Sequence, residues 1–148
     1  MNKGKSSHLF RVSLDDFGTG GNQEHLTKHI IRVGRPGAAV FDIVGTEETS
    51  SPSIDIDLHD DMRDHTRAEV LTQLAKQMKE HAEFAMQIEI LDEREEQVEF
   101  WHLSGCRIVD CRFDELNRRS PECLVIHLTI GSQRIATRLF GEMVTLFP

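Results

Sequence analysis

Apolar and polar residues alternate along much of the chain, and this alternation predicts most of its structure. In residues 53–59, SIDIDLH, every second position is isoleucine or leucine, and Asp55, Asp57 and His59 occupy the positions between. Successive side chains of a β-strand point to opposite faces, so the pattern predicts a half-buried strand with a polar outer face.

The same alternation recurs at 84–90, where Gln87 and Glu89 take polar positions, and at 124–130. Weaker patterns predict strands at 8–14, 26–34, 38–44, 97–103 and 106–113. The polar stretch 45–53 contains a proline and predicts a hairpin tip between strands 38–44 and 53–59. Eight short strands predict a mainly β fold, either a β-barrel or two packed antiparallel sheets.

One segment has the period of a helix instead. Between residues 66 and 81 a single helical stripe carries the apolar residues Val70, Leu71, Leu74, Ala75 and Met78. Thr66 and Glu69 have the spacing of a capping box, which predicts a helix start at Thr66. We expect this helix to flank the sheet and to bury its stripe across an open end of the barrel.

The last residues, 132–148, do not have a single period. Ile135, Leu139, Met143 and Phe147 recur every four residues, yet the stretch MVTLF is equally typical of a strand. The segment is apolar for the end of a chain, so we expect it to dock on another surface. The whole chain, 1–148, is predicted to be one domain, with 132–148 as an extension.

Composition narrows the class of protein. The 148 residues are 39% hydrophobic and 28% charged, as in soluble globular proteins. No apolar run approaches the roughly 18 residues of a membrane span, and the N-terminal residues lack the apolar stretch of a signal peptide. We therefore expect a soluble protein made in the cytoplasm, without a membrane partner.

The net charge of −8 is concentrated in the middle of the chain, where residues 42–99 hold seventeen acidic residues and five basic ones. Seven acidic residues and no lysine or arginine lie between Asp42 and Asp61. This argues against a surface that grips nucleic acid, which requires clustered lysine and arginine. The ordinary interpretation is a solvated acidic face, and the sharper one is a surface that faces an anion without holding it.

Motifs for catalysis or metal binding are not found. His25 and His29 stand four apart, but their segment is predicted as a strand, which separates them too far to chelate a metal. Asp55, Asp57 and His59 follow from strand alternation and lack the spacing of a calcium loop. We predict no enzyme activity, no metal and no cofactor, although a Cys–His dyad stays open.

The three cysteines are Cys106, Cys111 and Cys123, an odd number that cannot pair completely within the chain. If 106–113 is a strand, Cys106 and Cys111 point to opposite faces and cannot share a metal ion. The favoured interpretation is free cysteines that pack as small apolar residues, one in the core and one on the opposite face. Disulfides between subunits and zinc binding remain the alternatives.

Taken in order, these segments resemble the tail-tube proteins of contractile phage tails and related injection systems. The stretch HIIRVGRPGAAVFDI (29–43) resembles the family's strand ending in Arg-Pro, with Arg35, Pro36 and Phe41 matching. The strand SIDIDLHDD before the helix and the stretch 85–130 resemble the family in the same order. The likeness covers roughly residues 8–131, and the last residues have no counterpart.

The resemblance implies a structural virion protein without catalysis: a subunit of homohexameric rings that stack into the inner tail tube. Its implied partners are further copies of itself, the tail sheath, baseplate and tail-terminator proteins, and genomic DNA passing through the bore without specific binding. The implied location is the phage tail, assembled in the host cytoplasm. Alternatives are a baseplate tube-initiator, an injection-system tube subunit or, outside this class, a small ligand-binding β-barrel.

The resemblance also suggests where individual side chains lie in an assembled tube. An acidic bore would repel the phosphates of DNA, so the outward residues of the inner strands are candidates for its lining. The candidates are Asp55, Asp57, Gln87 and Glu89. Disulfides between subunits would involve Cys106, Cys111 or Cys123.

Overall fold

The computed structural model describes residues 9–17, 27–43, 52–60, 64–114 and 125–147, and these form eight strands and two helices. The strands are β1 (Leu9–Asp15), β2 (Ile30–Val33), β3 (Ser53–His59), β4 (Phe84–Leu91), β5 (Gln97–Phe113), β6 (Val125–Gly131), β7 (Arg134–Leu139) and β8 (Glu142–Phe147). The helices are α1 (Pro36–Ile43) and α2 (Asp64–Glu80). The predicted fold class, mainly β with a flanking helix, is confirmed.

All strand pairs are antiparallel, and the main path through the sheet runs β1-β4-β5-β6-β3-β2. The 17-residue strand β5 covers both predicted strands 97–103 and 106–113. Its first part pairs with β4 and β7, and its last part pairs with β6. We call β1, β4, the first part of β5, β7 and β8 the β4 side, and β2, β3, β6 and the last part of β5 the β3 side.

The sheet folds back on itself around one core. Leu14 of β1 and Ile56 of β3 line the same small internal cavity, although three strands lie between them along the sheet. Buried side chains of both sides belong to one cluster, with Leu58, Met86 and Ile126 fully buried. The inner faces of the two sides therefore meet, as a barrel or packed-sheet interpretation predicts, and the polar faces point away from each other.

Two bulges bend β5 where it passes from one side to the other. The pairing with β4 shifts by one residue between Leu103 and Cys106, and the pairing with β6 shifts between Ile108 and Asp110. Gly105, at the first bulge, has φ +60, and a Cβ there would lie 2.8 Å from the side chain of Gln133. A bulge of this kind requires glycine at the left-handed position. Gly105 therefore permits β5 to bend from the β4 side to the β3 side.

The second bulge changes the position of one cysteine. Because Val109 is the extra residue, Cys111 pairs with Leu128 and packs against the core, on the same face as the fully buried Cys106. The prediction that these cysteines point to opposite faces is therefore wrong, since it assumed unbroken alternation. Cys123 lies outside the described residues.

Helix α2 begins at Asp64, two residues before the predicted start, and ends one residue before the predicted end. Thr66 therefore lies within the first turn and not at its cap. Val70 and Leu74 are buried, whereas Ala75 at the edge of the predicted stripe is exposed. Leu74 lines the same internal cavity as residues of both sides of the sheet, so the helix covers the core as expected. Neither described helix has the length and hydrophobicity that crossing a membrane requires.

Residues 38–44 were expected to form a strand, and this is wrong: 36–43 form helix α1. Pro36 at its first position fixes φ near the helical value and gives up an amide that would have no partner there. The run of apolar residues that follows has no alternation, so it could not distinguish a buried helix from a buried strand. The antiparallel neighbour of β3 is β2, which excludes the predicted hairpin between 38–44 and 53–59.

The C-terminal extension forms a hairpin, β7 and β8, with Phe140 and Gly141 as its two-residue turn. Both turn residues have positive φ, 51 and 85, which is typical of the tight turns that join twisted antiparallel strands. The strand interpretation of MVTLF is thus confirmed. We call Arg134–Phe147 the C-terminal hairpin.

Candidate functional site

The outer face of the β3 side carries two of the four predicted site residues. Asp57 pairs across the sheet with His127, and Asp55 pairs with Thr129. The Thr129 hydroxyl donates a hydrogen bond to Asp55 (3.0 Å), and the Asp57 carboxylate lies 2.9 Å from Nδ1 of His127. Alternation in β3 and β6 places these polar side chains on one surface, as the sequence predicts.

His127 bridges two carboxylates. Its Nδ1 contacts Asp57 and its Nε2 lies 2.7 Å from Asp114 Oδ1, just beyond the end of β5. A neutral imidazole has a single N–H, so both contacts are hydrogen bonds only when His127 is protonated. The carboxylates of Asp114 and Asp57 accordingly raise the pKa of His127 above its ordinary value.

The two carboxylates have further partners. The guanidinium of Arg32 on β2 donates a hydrogen bond to Asp57 Oδ2 (2.7 Å) and is the main reason that the pKa of Asp57 is lowered. Asp114 accepts a hydrogen bond from the backbone N–H of Val125 (2.9 Å). Its hydrogen bond with His127 is the main reason that the pKa of Asp114 is lowered. This polar network joins β2, β3, β6 and the end of β5.

The remaining arginines described on this face are also paired. Arg107 lies 2.7 Å from Glu83, and Arg112 lies 3.2 Å from Asp110. Exposed pairs of this kind contribute little to stability, on the order of 0–1 kcal/mol. They do occupy the guanidinium groups, so the described part of this face offers an anion no unpaired arginine.

The other two predicted residues, Gln87 and Glu89, lie on β4 and face outward from the opposite side of the molecule. Glu89 accepts a hydrogen bond from the Gln97 side chain (3.1 Å). Arg138 lies 4.6 Å above the ring of Phe100 on this side, and no carboxylate of the described residues forms an ion pair with it. The structure therefore separates the four candidates into two pairs.

A groove of about 270 Å³ opens where the two end strands of the sheet approach each other. We call it the seam groove, and it is lined by Phe10, Val33, Gly34, Arg35, Pro36, Ile88, Ile90, Val98 and Glu99. Phe10 belongs to β1 and Val33 to β2, the first and last strands of the main path. The groove therefore lies between β1 and β2, which do not pair with each other in the described part of the chain.

The Arg-Pro-Gly stretch, part of the sequence that carries the resemblance, lies beside this groove and contacts β5. Arg35 donates a hydrogen bond to Glu99 (2.8 Å), and Glu99 accepts a second one from the indole N–H of Trp101 (2.6 Å). Gly37 lies against the same indole, where a Cβ would come within 3.2 Å of the ring. Phe41, on the adjoining helix α1, is 73% exposed.

The cysteines and metal candidates give no reactive centre in the described part of the chain. Burial raises the pKa of the Cys106 thiol to about 11, and it also raises the pKa of Cys111. Thiols are nucleophilic and bind metals as thiolates, so both are poorly suited to either role. No group of His, Cys, Asp or Glu side chains among the described residues could hold a metal ion, and His25 lies outside those residues.

Sequence reasoning missed the partners of the predicted aspartates. His127 occupies a polar position of the predicted strand 124–130, so its outward orientation could have been inferred. Its pairing with Asp57 depends on the order of β3 and β6 in the sheet, and the approach of Asp114 depends on the bulge at Val109. Neither is encoded in a local pattern.

Comparison with solved structures identifies the fold. A chain in the six-fold symmetrised baseplate of the anti-feeding prophage matches with TM-score 0.57 and 14% identity, covering 99% of both chains. Hcp1 from Salmonella typhimurium matches with TM-score 0.56 and 9% identity, covering 93% of this chain and 91% of that one. The sheath/tube terminator structure of an extracellular contractile injection system, PVC, matches with TM-score 0.54 and 15% identity, covering 88% and 93%.

Identities this low show the fold and no more. No protein-family model matches the sequence, and no curated protein matches it either. The resemblance to tail-tube proteins that the sequence motifs indicated is confirmed at the level of the fold. The C-terminal hairpin is included in the full-length match to the anti-feeding prophage chain.

Proposed function

We propose that the chain is a tube subunit of a contractile injection machine, assembling with copies of itself into stacked six-membered rings. The observation that carries this proposal is the match over 88–99% of the chain to proteins from such machines. One of those structures is six-fold symmetrised, which supports rings of six. The function is structural, and catalysis has no part in it.

The open edges of the sheet support assembly. Strands β1, β2 and β8 each pair with one neighbour among the described strands, which leaves one edge of each free. Free edges are a liability in a monomer and are commonly covered by another chain. Head-to-tail contacts between identical subunits cover such edges and close a ring when the rotation closes.

We further propose that the outer face of the β3 side lines the bore. Only one of the two opposite faces can do so, and this one combines Asp55 and Asp57 with arginines that are already paired. On the other face Arg138 has no carboxylate partner among the described residues, and it would attract passing phosphates. The polar network thus lets a polyanion pass without binding it.

Electron microscopy of the purified protein tests the assembly. Negatively stained rings or tubes with a central hole and six-fold symmetry are expected at high protein concentration. A species that stays monomeric at every concentration would contradict the proposal and would favour a small β-barrel that binds a ligand, for which the seam groove is a candidate cavity.

Accessibility of engineered cysteines tests which face lines the bore. We expect Asp55→Cys in assembled tubes to react with a small maleimide but to be protected from a bulky polymer-linked one. Glu89→Cys is the matched control, and it should react with both reagents. Labelling of the wild-type cysteines is subtracted in each case. The reverse pattern would assign the bore to the β4 side and leave the tube function standing.

The cargo and the particle remain alternatives within this proposal. Genomic DNA in a phage tail and an effector in an injection system both require a bore that does not bind its contents. The full-length match to a baseplate chain favours a tube end or initiator over the main tube. Sheath, baseplate and terminator proteins are the proposed partners, and the tail of the particle is the proposed location.

A further inference from the structure

The C-terminal hairpin begins in the core and extends beyond it. Ile135, at its start, is fully buried, whereas Leu139 and Val144 are 47% and 37% exposed. Leu139 lies two strand repeats beyond Ile135, and Val144 pairs with Thr137, so both occupy positions that face inward. Apolar residues at inward positions elsewhere in the sheet are buried or pack against the core, whereas Leu139 and Val144 do not belong to that core among the described residues.

Further apolar residues of the hairpin are exposed as well. Phe140 at the turn is fully exposed, and Met143 and Leu146 are also exposed. Five large apolar side chains thus cluster on one projecting two-stranded element. Contiguous exposed apolar surface of this kind marks an interaction site.

The seam groove on the same chain has the complementary form. Its floor is apolar, from Phe10, Ile88 and Ile90, and its mouth lies between the open edges of β1 and β2. No residue of the hairpin lines the groove of its own chain. Along the sheet, strand β8 lies four strand spacings from β1, which is about 19 Å at roughly 4.8 Å per strand.

The charges of the C-terminal hairpin and of the seam groove are also complementary. Residues 92–99, which form the turn and strand start beside the groove, contain five acidic residues and one arginine. Arg11 and Arg35 pair with two of these acids, which leaves two carboxylates in excess. The C-terminal hairpin carries Arg134 and Arg138 against a single acid, Glu142. An apolar, net basic hairpin thus corresponds to an apolar groove with an acidic rim.

We infer that the C-terminal hairpin of one copy of this chain docks into the seam groove of the next copy, with Phe140 leading. Each chain offers one hairpin and one groove at different places, so the contact is head-to-tail and propagates. The inference rests on the proposed self-assembly and specifies which surfaces carry it.

Photo-crosslinking tests the contact directly. A benzophenone analogue of phenylalanine replaces Phe140, and equal amounts of isotopically light and heavy protein are mixed, assembled and irradiated. We expect crosslinks between light and heavy chains that map to the tryptic peptide 95–107, which contains Val98 and Glu99. Crosslinks within one chain only, or crosslinks to any other surface, would overturn the docking.

Substitution provides an independent measurement by sedimentation velocity. Phe140→Ser and Val98→Asp are each expected to raise the concentration needed for assembly at least about tenfold, the loss expected when a large apolar contact is removed. Val109→Ser is the matched control, because Val109 is similarly exposed but lies on the β3 side. Its assembly should be unchanged, and the melting temperatures of unassembled Phe140→Ser and wild type should agree.

The outcomes separate the two proposals. If the wild type assembles and both substitutions leave assembly unchanged, the docking is wrong and the tube function stands. Loss of assembly in Val109→Ser equal to that in Phe140→Ser would also refute a specific contact of the hairpin. If the wild type does not assemble at any concentration, the proposed function fails and the docking fails with it. Crosslinks to a sheath or baseplate protein in a whole particle would identify another occupant.

Discussion

Replacing Ile135 with alanine tests whether the C-terminal hairpin is anchored in the core or attached to its surface. Ile135 pairs with Leu103 and Phe147, and its side chain is fully buried. Isoleucine-to-alanine changes at such sites cost about 2–5 kcal/mol, from lost transfer energy and from the cavity left behind. Because both neighbouring strands restrict collapse of the cavity, we expect about 3 kcal/mol.

The matched control is Leu139→Ala on the same strand. Leu139 is about half exposed in the isolated subunit, so its truncation should cost less than about 1 kcal/mol. Urea unfolding of the unassembled protein, monitored by tryptophan fluorescence, measures both changes. For a chain of this length we expect the melting temperature of Ile135→Ala to fall by about 6–12 °C. Equal effects of the two substitutions would refute the description of a hairpin that begins in the core and ends outside it.

Three further predictions concern the polar network, the groove and the cysteines. Protonated His127 stabilises the fold fully below its unfolded pKa of about 6.5, and this contribution is lost as pH rises through its raised folded pKa. The His127→Gln variant should therefore lose less stability than wild type, by at most about 1 kcal/mol, between about pH 6 and pH 9 in unfolding experiments; parallel curves would contradict this. Gly37→Val should destabilise the protein by about 1–3 kcal/mol, because its methyl groups press on an indole held by a hydrogen bond; a neutral result in thermal unfolding would show that the ring can move. In thiol labelling of the native protein Cys106, which is buried with a pKa of about 11, should react more slowly than the partly exposed Cys111, and the reverse order would contradict the burial of Cys106 in the core.

Alternation along the chain was sufficient to predict the strands that are buried on one face. Strands β3, β4 and β6 lie within one residue of their predicted limits, because each has a regular inner and outer face. The prediction failed where a second factor acted. Pro36 starts a helix in an apolar run without a period, and the bulge at Val109 reverses the alternation for Cys111.

The candidate site was predictable only in part, for a related reason. The outward orientation of Asp55 and Asp57 follows from local alternation, but their partners depend on which strands are neighbours. Arg32 and His127 reach Asp57 from the two strands that flank β3. Strand order is set by the packing of the whole sheet, so a single sequence without aligned relatives does not reveal it.

The arrangement of charge on the β3 side changes the physical argument for a passive bore. The resemblance implies an acidic lining that repels phosphates, yet on this face Asp57 is paired with Arg32, and Asp110 with Arg112. A phosphate can bind such a wall only by displacing a carboxylate from an arginine, which exchanges one ion pair for another and gains little. In the proposed bore, such pairs would reduce adhesion without a large negative potential. The acidic surplus of residues 92–96 lies beside the seam groove, where the proposed docking places the basic hairpin of the next copy.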